Sequence, residues 1–318
     1  MKQYEFLFKH FTTANLSNNN RLVALCSSDV SVFEFPNMNM ITKFSQIKYP
    51  SSSCFSSNNQ FLAVKSTLGN IGIYDLEKKV LISKSRHVNE AGNGSNILFT
   101  PDDKYIIDGD WRGNIRQIDI QNGTFKVIET NDNHMIRRIE YDDLEQVFHI
   151  QKFYRGGMNI LDSSYTVISQ WKYNIDKKQM NLMKETKKVH NHGGYFSYNQ
   201  SQKQYASVGF SQRELNFVEI EVYDNMLDEI LLRKPLEGET KRVKEYNVIT
   251  QNGVHFIVKI DNNIYIYDIG DYELSLKKTF ANANRINLSP DGRFLIVSEI
   301  VVEGPKNGRL WVLEIDGI

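Results

Sequence analysis

The 318-residue sequence contains only two cysteines, Cys26 and Cys54, and only six prolines. Two cysteines are too few for a disulfide-stapled scaffold or for a cysteine-rich zinc site. Charge of one sign does not dominate either, because 38 Lys and Arg residues balance 38 Asp and Glu residues. A net charge of zero argues against binding nucleic acid or an anionic membrane through the whole surface.

Long hydrophobic runs and catalytic signatures are absent as well. No window approaches 18 apolar residues, and Met1–His10 lacks the apolar stretch of a secretory signal, so we expect a cytoplasmic protein with no membrane span. The sequence has no Gly-x-Ser-x-Gly elbow, no His-Glu-x-x-His motif and no phosphate-binding Gly-x-x-x-x-Gly-Lys loop. The close histidine pair, His190 and His192, has no paired carboxylate nearby, so we expect no metal site and no cofactor.

What the sequence does contain is a repeated unit. Each copy has a short apolar run, a polar turn, a second apolar run, another turn and an alternating run that ends in an acid. The clearest copies cover residues 55–76, 99–120 and 288–314. Alternating runs bounded by Asn, Asp, Gly and Pro are typical of β-hairpins, because these residues adopt the backbone angles of tight turns.

The acid that ends each third run measures the repeat. Its seven occurrences are Glu34, Asp75, Asp119, Asp162, Asp224, Asp268 and Glu314. Five of the six spacings lie between 41 and 46 residues, which matches a four-stranded propeller blade. The sequence therefore predicts an all-β, seven-bladed β-propeller of four-stranded antiparallel blades, with residues 1–318 as a single domain. The last blade lacks a fourth strand, so we expect the surplus strand at 4–9 to complete it and close the ring.

These repeats resemble the WD-repeat family of β-propellers and, more loosely, the lactonase-like and TolB-like propellers. The resemblance is carried by Ser-Pro-Asp-Gly-Arg at 289–293 and Thr-Pro-Asp-Asp-Lys at 100–104, each before a strand. Tyr-Asp pairs at 74–75 and 267–268 stand where the family has its Trp-Asp pair, although no Trp-Asp and no Gly-His dipeptide occurs in this sequence. The resemblance implies a top face on which the second-to-third and the inter-blade connections meet.

The candidate binding residues lie on this expected top face. Aromatic-Arg-Gly triplets, which contain Trp111 and Arg112 or Tyr154 and Arg155, fall in two second-to-third loops. An arginine fork suits carboxylate or phosphate and an aromatic ring adds rigid contact area, so we expect an acidic peptide or an anionic small molecule. The alternative is structural, with solvated arginines and rings packed between blades. The other candidates on this face are Arg213, His87, His134, Arg137, His190, His192, Arg242 and Arg285.

The spacing of 62 residues between Asp162 and Asp224 indicates an insertion. We place it at about 172–192, after an expected fourth strand at 165–169, as an inserted basic loop. Its charged residues are Lys172, Lys177, Lys178, Lys184, Lys187 and Lys188, with Asp176 and Glu185. A binding loop and a solvated basic face are both consistent with this composition. Regularly spaced aromatics for base stacking are missing, which argues against nucleic acid.

Taken together, these patterns favour a non-enzymatic, monomeric scaffold that binds a protein or peptide partner through its top-face loops. The alternative is a propeller-type enzyme, similar to a lactonase or hydrolase, with a site in the central channel. Only scattered histidines and acids support it. A purely structural role is the third possibility.

Overall fold

A computed structural model of the protein describes residues 2–9, 11–86, 95–130, 133–154, 165–189, 196–210, 218–236, 246–250, 253–260, 262–300 and 307–315. These ranges contain 28 β-strands and no helix. The strands form seven four-stranded antiparallel sheets, which is the arrangement of a seven-bladed β-propeller, so the predicted fold class is confirmed. A search of the same ranges for a helix able to cross a bilayer finds none.

The strands follow one another in chain order. β1 (Gln3–Phe8) precedes blade 1, which contains β2 (Thr13–Leu16), β3 (Leu22–Cys26), β4 (Val30–Glu34) and β5 (Met40–Phe44). Blade 2 contains β6 (Pro50–Phe55), β7 (Phe61–Ser66), β8 (Ile71–Asp75) and β9 (Val80–Ser85). Blade 3 contains β10 (Leu98–Phe99), β11 (Tyr105–Gly109), β12 (Ile115–Asp119) and β13 (Phe125–Glu129). Blade 4 contains β14 (His134–Asp142), β15 (Val147–Tyr154), β16 (Tyr165–Asn174) and β17 (Gln179–Val189).

The remaining strands complete the set. Blade 5 contains β18 (Phe196–Asn199), β19 (Gln204–Phe210), β20 (Val218–Tyr223) and β21 (Ile230–Pro235). Blade 6 contains β22 (Tyr246–Ile249), β23 (His255–Ile260), β24 (Asn263–Asp268) and β25 (Leu274–Thr279). Blade 7 contains β26 (Ala283–Leu288), β27 (Phe294–Ile300), β28 (Gly308–Glu314) and the N-terminal strand β1.

The chain divides into two compact units. The first holds residues 1–139, 175–179 and 281–317, and the second holds residues 140–174 and 180–280 together with Ile318. Blades 1, 2, 3 and 7 fall in the first unit, and blades 5 and 6 fall in the second with most of blade 4. The single-domain assignment of 1–318 stays a prediction.

The hydrophobic core consists of clusters that lie between consecutive sheets. In the first unit, separate clusters join blade 7 to blade 1, blade 1 to blade 2 and blade 2 to blade 3. In the second unit, one cluster joins Val208 of blade 5 to Phe256 of blade 6, and another joins Ile168 of blade 4 to Phe196 of blade 5. Complete burial of one such side chain stabilises the fold by about 1.5–3 kcal/mol. The sheets that share a cluster therefore stabilise one another.

The N-terminal strand completes blade 7, as the sequence predicts. β1 pairs antiparallel with β28, in a register that places Gln3 opposite Leu313 and Phe8 opposite Gly308. Without β1, the backbone groups of β28 on that side would be left without strand partners. Blade 7 is thus completed by non-covalent pairing of β1 with β28.

The turns between first and second strands share one side-chain design. In four blades, a Ser or Thr hydroxyl donates to the Asn or Asp two residues later and accepts the backbone N–H five residues later. These hydroxyls belong to Ser17, Ser56, Thr100 and Ser289. Such local hydrogen bonds favour a turn over continued strand. They explain the Thr-Pro-Asp and Ser-Pro-Asp segments on which the resemblance rests.

Blade 4 departs from the predicted layout. The segment from 165 belongs to the third strand, β16, which continues to Asn174, and the predicted fourth strand at 165–169 is therefore wrong. The inserted loop at 172–192 is also wrong, because β17 covers Gln179–Val189. Asp162, used as the end of a third strand, lies outside the described residues and before β16 begins. The extra residues instead lengthen the strands, since β16 has 10 residues and β17 has 11.

Candidate functional site

The predicted binding residues fall into four groups. Trp111 and Arg112 are exposed in the turn between β11 and β12. Three residues expected in inter-blade connections lie instead in first strands, because these strands begin earlier than the sequence pattern suggests: His134 and Arg137 in β14, and Arg285 in β26. Tyr154 is half-buried at the end of β15. The others, His87, Arg155, His190, His192, Arg213 and Arg242, lie outside the described residues.

Trp111 and Arg112 lie in a turn whose hydrogen-bonding pattern occurs in both blade 2 and blade 3. In blade 3, Oδ1 of Asp110 accepts the backbone N–H groups of Arg112 and Asn114, each at 2.9 Å. In blade 2, Oγ of Ser66 accepts those of Leu68 and Asn70 at 3.2 and 3.0 Å. Gly113 and Gly69 have positive φ angles of 79° and 75° at the same position of the turn. Residues 67–68 and 111–112 therefore occupy equivalent places on neighbouring blades.

Both turns present large apolar side chains to solvent. Trp111 is 53% exposed, and Leu68 is 58% exposed. Tyr49, which is 67% exposed and immediately precedes β6, joins them, since its carbonyl oxygen accepts the backbone N–H of Thr67 at 2.9 Å. We call Tyr49, Leu68, Trp111 and Arg112 the hairpin-tip surface. Clustered exposed apolar groups on a rigid scaffold are characteristic of interaction sites.

A buried ionic cluster lies next to the two turns, between the strands that lead into them. Lys65, at the end of β7, uses all three of its protons: Nζ donates to Oδ1 of Asp108 at 2.6 Å and to the carbonyl oxygens of Gly109 and Ser95 at 2.7 and 3.2 Å. Arg116 donates to the other carboxylate oxygen of Asp108 through Nε, at 3.0 Å, and through Nη2. Burial lowers the pKa of Lys65, and the negative charge of Asp108 opposes that shift. The cluster holds the second strands of blades 2 and 3 at a fixed separation just below their tips.

Three cations lie at the same end of blades 2 and 3 as the apolar side chains of the hairpin-tip surface. Lys48 adjoins Tyr49, and Arg86 follows the last residue of β9, so both lie at the same end of blade 2 as Leu68. Lys48, Arg86 and Arg112 are all exposed, and within the described ranges none of them lies within 4.0 Å of a carboxylate oxygen. The nearby acids Asp108 and Asp110 are buried and accept hydrogen bonds inside the protein.

Tyr154 and Arg285 make internal contacts instead. The ring of Tyr154 stacks on that of Tyr165 at 4.7 Å, and Nζ of Lys187 lies 3.7 Å from the centroid of the Tyr165 ring. Nη1 of Arg285 donates to the carbonyl oxygen of Ser51 at 3.2 Å, which links blade 7 to blade 2. The structural alternative considered for Tyr154 therefore describes its surroundings well.

Burial shifts the pKa values of both cysteines and of His149. Burial raises the pKa of the Cys26 thiol to about 12 and also raises that of Cys54, which disfavours the nucleophilic thiolate. Burial lowers the pKa of His149 to about 3, so the ring is neutral near pH 7. Among the described residues, no group of three or more His, Cys, Asp and Glu side chains could hold a metal ion.

Two residues of the hairpin-tip surface, Tyr49 and Leu68, are not predicted from the sequence. Leu68-Gly69-Asn70 matches Arg112-Gly113-Asn114 in spacing, so an alignment on Gly-Asn could have found Leu68. Tyr49 carries no such signal, because it comes from an inter-blade connection and reaches the surface through its hydrogen bond to Thr67.

Comparisons with known proteins reveal the fold and no family. No family model matches the chain, and no curated protein does. Among solved structures, the chain is similar to hydrazine synthase of Kuenenia stuttgartiensis, with a TM-score of 0.72 over 97% of this chain and 96% of that one. The two share 13% sequence identity, so the likeness shows a common β-propeller fold alone.

Proposed function

We propose that the protein is a non-enzymatic binding module that takes a protein or peptide partner on its hairpin-tip surface. The observation that carries this proposal is the exposure of Tyr49, Leu68 and Trp111. Internal hydrogen bonds and the buried ionic cluster hold the turns that bear them. Rigid turns add affinity because little conformational entropy is lost on binding. Aromatic and arginine side chains dominate measured interface energies, and Trp111 and Arg112 are adjacent in the sequence.

The resemblance to WD-repeat propellers supports the same proposal, because it implies recognition through loops at one end of the blades. Under this proposal the chain is a divergent WD-repeat-like propeller that acts as a monomeric module in the cytoplasm. The exposed cations beside the apolar side chains favour a partner that carries acidic groups. Polar groups at the rim of an interface chiefly determine which partner is selected and how fast it associates.

The double variant Leu68→Ala/Trp111→Ala tests the proposal. We expect at least one protein captured from a native lysate by the wild type to be lost with this variant. Removal of a central aromatic anchor costs about 2 kcal/mol or more, or roughly a thirtyfold weaker complex. The affinity of that purified protein for both forms, measured by calorimetry, gives the magnitude.

Val80→Ala is the control. This side chain is also an exposed apolar group of blade 2, but it lies at the opposite end of the sheet, where the third strand leads into the fourth. The control should retain every partner. Identical recovery of all partners by the wild type and by the Leu68→Ala/Trp111→Ala variant would overturn the proposal.

A further inference from the structure

A second feature, independent of the hairpin-tip surface, is the outer strand of blade 4. The strand order β14-β15-β16-β17 places β17 at the edge of its sheet. β17 has 11 residues, whereas the fourth strands of blades 1, 2, 3, 5 and 6 have five or six. Proteins usually keep edge strands short or place Pro in them, because a long edge accepts a further strand. β17 contains no Pro and no Gly.

The exposed side chains of β17 combine apolar contact area with positive charge. Leu182 is 50% exposed and Met183 is 61% exposed. Lys187 lies on the same strand with its ammonium group over Tyr165, and Nζ of Lys184 contacts the sulfur of Met226. The negative charge of Glu185, the acid of this strand, is paired with the buried ammonium group of Lys152, which donates a hydrogen bond to it at 2.7 Å.

The lysines of β17 differ from the cations of a neighbouring outer strand. On β21, Arg233 pairs with Glu221 at 3.0 Å and Lys234 pairs with Glu273 at 2.6 Å. Lys184 and Lys187 have no carboxylate partner within the described ranges. The positive charge of β17 is therefore uncompensated beside an edge able to form main-chain hydrogen bonds.

We propose that β17 is a strand-addition site for an extended acidic peptide segment, which pairs with it as a fifth strand of blade 4. Main-chain hydrogen bonds along the edge supply affinity. Leu182 and Lys184 lie on one face of β17, and Met183 and Lys187 lie on the other, because successive side chains of a strand alternate between faces. A segment that carries both acidic and small apolar residues on each of its faces therefore fits best. This site is separate from the hairpin-tip surface, which belongs to the first compact unit.

The test uses a fluorescein-labelled decapeptide in which Glu-Glu pairs alternate with Val-Thr pairs, so that both of its faces carry acids. We expect it to bind the full-length protein in an anisotropy titration and to slow hydrogen exchange of the backbone amides within 180–187. A peptide with Lys in place of Glu, and an acidic peptide with every second amide N-methylated, should not bind. Lys184→Glu/Lys187→Glu should weaken binding about tenfold, since two attractions become repulsions.

Lys277→Glu/Lys278→Glu is the matched control, because β25 is also an outer strand but has only six residues. This variant should bind as the wild type does. Equal losses in both charge variants, tight binding of the N-methylated peptide, or equal binding of a single-stranded oligonucleotide would overturn strand addition. So would self-association of Lys184→Glu/Lys187→Glu together with no peptide binding to the wild type, because edge lysines would then only block self-pairing.

Discussion

The Asp108→Ala variant should be destabilised by about 3–5 kcal/mol, because it breaks a buried ion pair by removing one partner. The change removes the carboxylate that both Lys65 and Arg116 contact and leaves two buried cations facing each other. The free energy of unfolding, measured by denaturant titration of the wild type and the variant, gives the magnitude.

Lys65→Met provides the comparison. It removes the three hydrogen bonds of Nζ but leaves Asp108 paired with Arg116, so its expected cost is smaller, about 1–3 kcal/mol. Asp108→Asn keeps one acceptor and offers a milder variant if Asp108→Ala does not fold. A loss for Lys65→Met that equals or exceeds the loss for both Asp108 variants would contradict the charge argument.

Acid should destabilise the protein through His149. The pKa of this side chain falls from about 6.5 in the unfolded chain to about 3 in the fold, because burial disfavours the imidazolium. Between these values the unfolded chain binds more protons than the native state, so stability rises with pH. This contribution is fully present above pH 6.5 and is lost as the pH falls towards 3. Between pH 6.5 and pH 4 the loss amounts to about 3 kcal/mol.

Unfolding titrations at several pH values test this prediction. His149→Asn should lose the additional acid dependence, so its stability curve should diverge from that of the wild type below pH 6.5. Tyr205→Phe is the control, because it removes the hydroxyl that lies 2.6 Å from Nδ1 of His149 but leaves the imidazole buried. Its acid dependence should follow the wild type. Parallel wild-type and His149→Asn curves would show that His149 is not the responsible group.

The fold is predictable from sequence because its turns are determined locally. At Thr100 and Ser289, the hydroxyl, the acid two residues later and the amide five residues later form one hydrogen-bonded turn. Blade 4 resists prediction because β16 ends in Asn174, which carries no acid to mark the strand end, and its length conceals the repeat.

The candidate site is only partly predictable. Trp111 and Arg112 stand out in the sequence, whereas Leu68 becomes their counterpart only when Ser66 and Asp110 are seen to bind the turn amides in the same way. Lys65 and Asp108 are charged residues inside apolar strands, and their pairing depends on how one blade packs against the next. Contacts between blades join positions about 40 residues apart, and no local pattern specifies them.

The pairing of β1 with β28 has a consequence for biosynthesis. Residues 3–8 leave the ribosome first among the strands, yet their partner, Gly308–Glu314, is synthesised last. The earlier sheets can form as their hairpins emerge, because each joins strands that are adjacent in the chain. Residues 3–8 therefore have no strand partner until residues 308–314 have been synthesised. A nascent chain stalled before residue 308 would therefore expose an unpaired strand-forming segment that could associate with other molecules.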